Sequence, residues 1–419
     1  MDVGRGAADT QGVTAPRAAV RRLAAGRLIS IGGSAAAYTA LMFTVYERTG
    51  SAVWLSAALL ATEGVTGLLG PLAGALGDRF DRQRVMVASD LGAALCFAAM
   101  AVADSPGALI AFAFASAVLE SPFWPASGAA IPNLVPPDQI SWANSLISVG
   151  RNVGVTIGPA VGGGLLALVG PSWVFGANAT SFVVSAALIL SVRASFAERS
   201  GGSERSDLRA GFRFLVDEPV LRRLGVAWVV FILGVGMVMV ADVPLAELFD
   251  AGSVGYGFMI ALWGAGSVLG SLAGRWLTPR TEMRWLVLAT VFVAGTGFAI
   301  AASPWFWLVL AMNLAWGLGD GVTVVADQNI MQRRTPDALR GRVMGAFEGA
   351  IHGTMAISYI VAGVVVPAVG ARGVYAIGGV AALLAVAVLS PLVRIEPSVE
   401  VDAGPASVGL RVPGAPPGA

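Results

Sequence analysis

Lysine is absent from the 419 residues, so all 27 basic side chains are arginine. Without lysine no phosphate-binding P-loop can form, which excludes ATP hydrolysis of that kind within the chain. Cys96 is the only cysteine, so no internal disulfide is possible. His352 is the only histidine, and one histidine with one cysteine supplies no metal cluster; no cofactor is expected, and no nucleophile with a positioned base is evident. Charge is scarce, at 13% of residues with a net value of +1, which gives no reason to expect nucleic acid as a partner.

Apolar side chains fill the space that charge leaves. They make up 56% of the chain, against roughly 45–50% in soluble domains even when glycine is counted, and 54 glycines come on top. One water-soluble core cannot hold that excess. A membrane-spanning helix needs about 20 mostly apolar residues, and twelve such stretches recur, near 27–47, 52–77, 85–104, 107–131, 141–169, 172–192, 222–243, 254–277, 285–302, 305–328, 342–368 and 372–393. The expected fold is therefore an all-α membrane protein with the lipid bilayer as solvent.

Arginine placement tests this plan independently, because cytoplasmic loops hold the positive charge. With both termini inside the cell, all basic residues but Arg48, Arg151 and Arg372 fall on cytoplasmic segments. The chain then divides into a disordered cytoplasmic N-terminus (1–26), a six-helix bundle (27–192), a charged cytoplasmic linker (193–221), a second six-helix bundle (222–393) and a Pro/Gly-rich disordered tail (394–419). The first apolar stretch is long for a signal peptide and reads as a retained span. Leu208, Phe212 and Leu215 recur at helical spacing in the linker, predicting either an amphipathic helix on the inner membrane surface or a solvated connection.

The two bundles repeat. Leu69-Gly70-Pro71-Leu72-Ala73-Gly74 matches Leu269-Gly270-Ser271-Leu272-Ala273-Gly274, Pro137-Asp138 matches Pro336-Asp337, and Val169-Gly170 matches Val369-Gly370, at an offset of about 200 residues. After the second span the chain reads Gly74-Ala-Leu-Gly-Asp78-Arg79-Phe-Asp81-Arg82-Gln-Arg84. The fifth span carries Gly154, Gly158, Pro159, Gly162 and Gly163, a smooth face for close packing with a bend at the proline.

The first of these motifs resembles the loop signature of the major facilitator superfamily, with Asp81 in place of a glycine; the matching loop of the second half, Gly274 to Arg280, lacks the acid. The second resembles the antiporter motif of that superfamily's drug exporters, and Pro122 to Gly163 is similar to its macrolide-efflux and siderophore-exporter branch. The resemblance implies two six-helix halves latched through Gly74, Asp78, Arg79, Arg82 and Arg84. It further implies a proton-coupled exporter of amphipathic small molecules, monomeric in the plasma membrane and not an enzyme, that works by alternating access. A nutrient or siderophore transporter on the same fold, and an intramembrane enzyme, are the alternatives. The family's arginine motif of the fourth span is missing, with Glu120 in the polar place.

Ionisable groups at membrane depth are costly and point to function. They are Glu63, Glu120, Arg151, Asp320, Glu348 and His352. Counting from the hairpin turns near Pro136 and Pro336 places Glu120 level with Arg151, and Asp320 level with His352, as two candidate acid–base pairs that hold hairpins together or handle protons. Glu348 shares a helix face with His352 and is a competing partner. Glu63 has no local partner, which suits a proton carrier that is neutral in one state and charged in another. Asp90, Asp242 and Asp327 lie near span ends and read as packing or gate contacts. Tyr38, Trp124, Trp142, Trp228, Trp263 and Trp316 are candidates for lining a substrate cavity.

Overall fold

The computed structural model describes residues 15–64, 80–193, 196 and 208–394, and all regular structure among them is helical. In chain order the helices are α1 (Pro16–Thr49), α2 (Ala52–Leu59), α3 (Arg82–Ala101), α4 (Pro106–Glu120), α5 (Phe123–Leu134), α6 (Ile140–Val169), α7 (Pro171–Leu190), α8 (Leu208–Asp217), α9 (Pro219–Leu248), α10 (Gly252–Ser271), α11 (Glu282–Ala301), α12 (Phe306–Arg334) and α13 (Arg340–Leu389). Ten helical stretches are long and apolar enough to cross a membrane. One of them contains α13, whose backbone leaves the helical region at Gly370 (φ 72°, ψ 168°) and so makes two crossings. With the shorter apolar helix Ala52–Gly64, the described residues are consistent with the twelve expected spans.

Local chemistry sets the helix starts. Pro16, Pro106, Pro171 and Pro219 occupy first-turn positions, where a missing N–H costs nothing. Asp81 accepts from the Arg84 N–H at 2.9 Å and Ser105 from the Ala108 N–H at 3.2 Å. Asp81, the departure from the family's loop pattern, is thus the N-cap of α3.

The first helix begins at Pro16 rather than at Arg27, which corrects the expected disordered stretch for residues 16–26. Ala19, Val20 and Leu23 are fully buried against a cluster that includes Met86, Phe123 and Leu134. Arg22 donates to the Ser191 carbonyl at 2.8 Å. Residues 1–14 and 395–419 lie outside the described residues.

We call the end that carries Pro16, α8 and Arg340 the linker end. At the far end the turns use left-handed glycine, at Gly50, Gly170, Gly252 and Gly370. Gly170 (φ 81°, ψ 171°) and Gly370 (φ 72°, ψ 168°) stand 200 positions apart in nearly the same conformation, so the repeat read in the sequence is also a repeat of the backbone.

Packing carries the same symmetry. Helix α1 packs on α6, and α9 packs on α13; between the halves, α6 meets α10 and α2 meets α13. Among the described residues, the close cross-half contacts of Gly163, Gly257 and Gly363 lie toward the far end. Ser253 Oγ donates to the Gly163 carbonyl at 3.0 Å, Gly257 abuts Pro159, and Gly363 abuts Val53 and Ser56. Helix α8 docks on the start of α13, with Gly211 seated against the Arg342 backbone and Leu215 buried, while Phe212 stays exposed. Protein therefore covers part of the face that the sequence assigned to the membrane surface.

Candidate functional site

A cavity of about 160 Å3 opens in the first half, with Tyr38, Thr62, Glu63, Phe97, Glu120 and Trp124 on its wall. Glu63 rides on a π-helical turn, Leu60–Gly64, that continues α2. Such turns insert an extra residue into a helix and re-aim its side chains, often at functional sites. Glu63 is exposed to the cavity, and His352 of α13 lies within electrostatic reach. Gly64 comes near Ala356 on α13, so this acid and base belong to different halves whose helices meet close by.

The His352 ring is oriented by its own helix, with Nδ1 2.8 Å from the Glu348 carbonyl. A carbonyl oxygen only accepts, so the bond puts a proton on Nδ1. The Glu348 carboxylate is not the partner.

Neither hairpin pair forms. Glu120 accepts instead from Ser116 Oγ at 2.8 Å, one turn back on α4, while the Arg151 guanidinium lies over the Trp124 ring, 5.6 Å from its centroid. Asp320 takes a 3.4 Å hydrogen bond from Ser267 of α10. Equal depth along a hairpin brings side chains together only where its two helices pack. Here α6 packs on α1 and α10, and α12 packs on α10 and α11, so the levels match but the partners differ.

Sequence reading missed Arg27. It is 6% exposed, its guanidinium lies over Trp124 at 4.9 Å and over Phe123 at 5.7 Å, and its Nε has no acceptor. Pro16 was the available signal: a proline start puts Arg27 three turns inside a helix rather than at its end. Also missed was a tyrosine group at the far end. Tyr375 Oη donates to Asp242 at 2.5 Å, Tyr359 reaches Met239 Sδ at 3.3 Å, and Tyr38 has Tyr256, Tyr359 and Glu63 as electrostatic neighbours. Asp90 is buried, with Arg27 in electrostatic reach.

Of the six aromatic candidates, Tyr38 and Trp124 line the cavity. Trp142 packs at the linker end under Arg17. Trp228 donates Nε1–H to Asp327 at 2.9 Å inside the second half. Trp316 is buried edge-on to Tyr375, and Trp263 presses its carbonyl toward Gly317. Trp228 and Trp316 fill contacts within the second half, Trp228 also lining a small second cavity with Phe231 and Thr323, whereas the Trp263 ring is exposed. In the loop motif, Gly74, Asp78 and Arg79 lie outside the described residues; Arg82 is buried and donates to the Ala129 carbonyl at 3.0 Å, and Arg84 is exposed. In the α6 motif, a Cβ on Gly154, Gly158 or Gly162 would crowd α1 at Gly32 to Ala36, and one on Gly163 would strike Ser253 of α10. The motif therefore seals one contact inside a half and another between halves. No cluster of His, Cys, Asp and Glu that could hold a metal occurs among the described residues.

The multidrug efflux pump Tap of Mycolicibacterium fortuitum is 27% identical over 369 residues, covering 82% of this chain and 88% of its own. The enterobactin exporter EntS of Escherichia coli is 26% identical over 301 residues, covering 70% and 71%. Among solved structures, the nucleoside transporter NupG superposes with a TM-score of 0.70 at 14% identity over 90% of this chain and 99% of that one, a likeness of fold. The Major Facilitator Superfamily model matches residues 23–352 and, in a second overlapping match, 245–413, so the chain belongs to that superfamily of membrane transporters.

Proposed function

We propose that the chain is a proton-coupled exporter of amphipathic small molecules, with its linker end and both termini on the cytoplasmic side of the plasma membrane. The observation that carries this reading is the first-half cavity, whose wall mixes aromatic rings with the carboxylates of Glu63 and Glu120 beside the place where Gly64 meets α13. Similarity to an efflux pump and to a siderophore exporter supports the direction of transport. With the halves in contact toward the far end, the cavity faces the cytoplasm and loads there. Rocking one half against the other then exposes it to the outside. Glu63 and His352 attract when both are charged and release when either loses its charge, so a proton gained or lost at this pair changes how firmly the halves hold each other. No other protein is needed for this cycle, which suits a monomer.

Inverted membrane vesicles test the reading with ethidium as an amphipathic cation and anilinonaphthalene sulfonate as an amphipathic anion. An imposed proton gradient should drive at least one dye into vesicles containing the protein, and Glu63→Gln should abolish the drive without loss of the folded protein. Gradient-driven uptake into right-side-out vesicles instead would make the chain an importer. An unchanged dependence on the gradient in the variant would remove Glu63 from the coupling.

A further inference from the structure

We propose that Arg27 and Arg151, gathered on the Trp124 ring, form a binding site for the oxyanion of an amphipathic ligand, that is, a carboxylate, phosphate or sulfonate carried on an apolar body. The proposal rests on the export reading only for the fate of the ligand. Three observations converge on it.

The first is an excess of donors. A guanidinium carries five N–H groups and no acceptor, and arginines at membrane depth normally spend them on carboxylates or backbone carbonyls. Among the described residues neither guanidinium donates a hydrogen bond or joins an ion pair, although the Arg27 Nε is buried. Their recorded contacts are aromatic: both guanidinium carbons stand over one indole, at 4.9 Å and 5.6 Å.

The second is mutual repulsion. Arg27 and Arg151 are electrostatic neighbours, and two like charges held against one ring in a low-dielectric wall are unfavourable without a shared counter-ion. Glu120, one turn before Trp124, is held by Ser116 and is paired with neither arginine. Asp90 is within electrostatic reach of Arg27 but outside ion-pair distance, and its own side-chain neighbour is Ser185. An oxyanion beside Trp124, accepting in the planar geometry that arginine offers to carboxylate and phosphate, would supply the counter-charge that both guanidinium groups lack.

The third is access. Trp124 is 39% exposed and belongs to the cavity wall, and Arg151 is exposed. An apolar body reaching along the cavity toward Tyr38 and Phe97 would leave its anionic head at the arginines. The chemistry fits two sources, a transported acid or the phosphate of an anionic phospholipid.

Equilibrium binding to the purified full-length protein reads the site without any gradient. The probe is a dansyl-tagged fatty carboxylate, compared with its uncharged methyl ester, in nanodiscs of phosphatidylcholine alone. The acid should bind about tenfold more tightly than the ester, as hydrogen bonds to a charged group require. Arg151→Gln and Arg27→Gln should each erase most of that preference while ester binding stays. Asp90→Asn, which removes a competing anion, should raise it. Arg27→Lys, which keeps the charge but not the fork, should retain part of it, and so covers the case in which Arg27→Gln does not fold. Glu63→Gln should keep the preference, so loss of proton coupling and loss of this site are separable results. Adding phosphatidylglycerol to the discs then identifies the source: displacement of the acid assigns the site to a lipid phosphate, and persistence assigns it to a transported acid. Equal affinity for acid and ester in the unaltered protein, or an unchanged preference in Arg151→Gln, overturns the proposal.

Discussion

The two halves share a backbone and differ in what they do with charge. In the second half several acids have a fixed partner: Asp320 has Ser267, Asp327 has Trp228, Asp242 has Tyr375 and Glu282 has Arg333 at 3.2 Å. In the first half, Glu63 faces a cavity, and Arg27 and Arg151 lean on an indole without a carboxylate partner. Duplication has kept the packing that alternating access needs, down to the matching torsions of Gly170 and Gly370. The polar groups have diverged, with more of the acids held by a fixed partner in the second half than in the first. Bracing and reactivity make opposite demands, because a carboxylate with a fixed donor resists a change of charge and a lone one invites it.

The contrast breaks most readily where the shared scaffold is attacked. Gly162→Val would drive a side chain into the Ala36 backbone and should cost about 3 kcal/mol or more, visible as loss of the folded peak in gel filtration; Gly164→Ala, with open space around it, should leave the profile unchanged. Next in size, Glu63→Gln should reduce gradient-driven transport to background while thermal stability stays within about 0.5 kcal/mol, the signature of a reactive group rather than a brace. The reverse pattern belongs to the second half. Asp327→Ala should cost about 1–3 kcal/mol by stranding the Trp228 N–H, lowering the melting temperature, with transport by the surviving protein retained. If Asp327→Ala stopped transport without moving the melting temperature, this contrast between the halves would fail. Smallest of all, Asp81→Ala should cost about 1 kcal/mol by uncapping α3, again without touching the dependence on the gradient.

Much of the architecture was legible because the bilayer imposes it. Span length and the Val169-Gly170 to Val369-Gly370 match are one-dimensional signals, and each maps onto a helix or turn in the structure. Side-chain pairing is not one-dimensional. Counting residues from Pro136 gave Glu120 and Arg151 a common depth, but which helices pack is decided by the small residues of α6, whose Gly154 to Gly162 face turns to α1. The electrostatic neighbourhood of Glu63 and His352 spans nearly 300 residues of chain and two halves, and nothing local to either residue signals it. Arg27 was hidden differently. Its helix was read from where hydropathy rises, whereas the helix starts at Pro16, where the backbone chemistry permits a start.

Gly170 is the whole connection between α6 and α7: the helices end at Val169 and restart at Pro171. A joint one residue long lets two rods change their angle but denies them any slide along each other. The same holds at Gly370 within α13. Kinematically, each half therefore has few internal freedoms at the far end. In the proposed cycle, such joints would favour rotation of helices together over the sliding of one along the next.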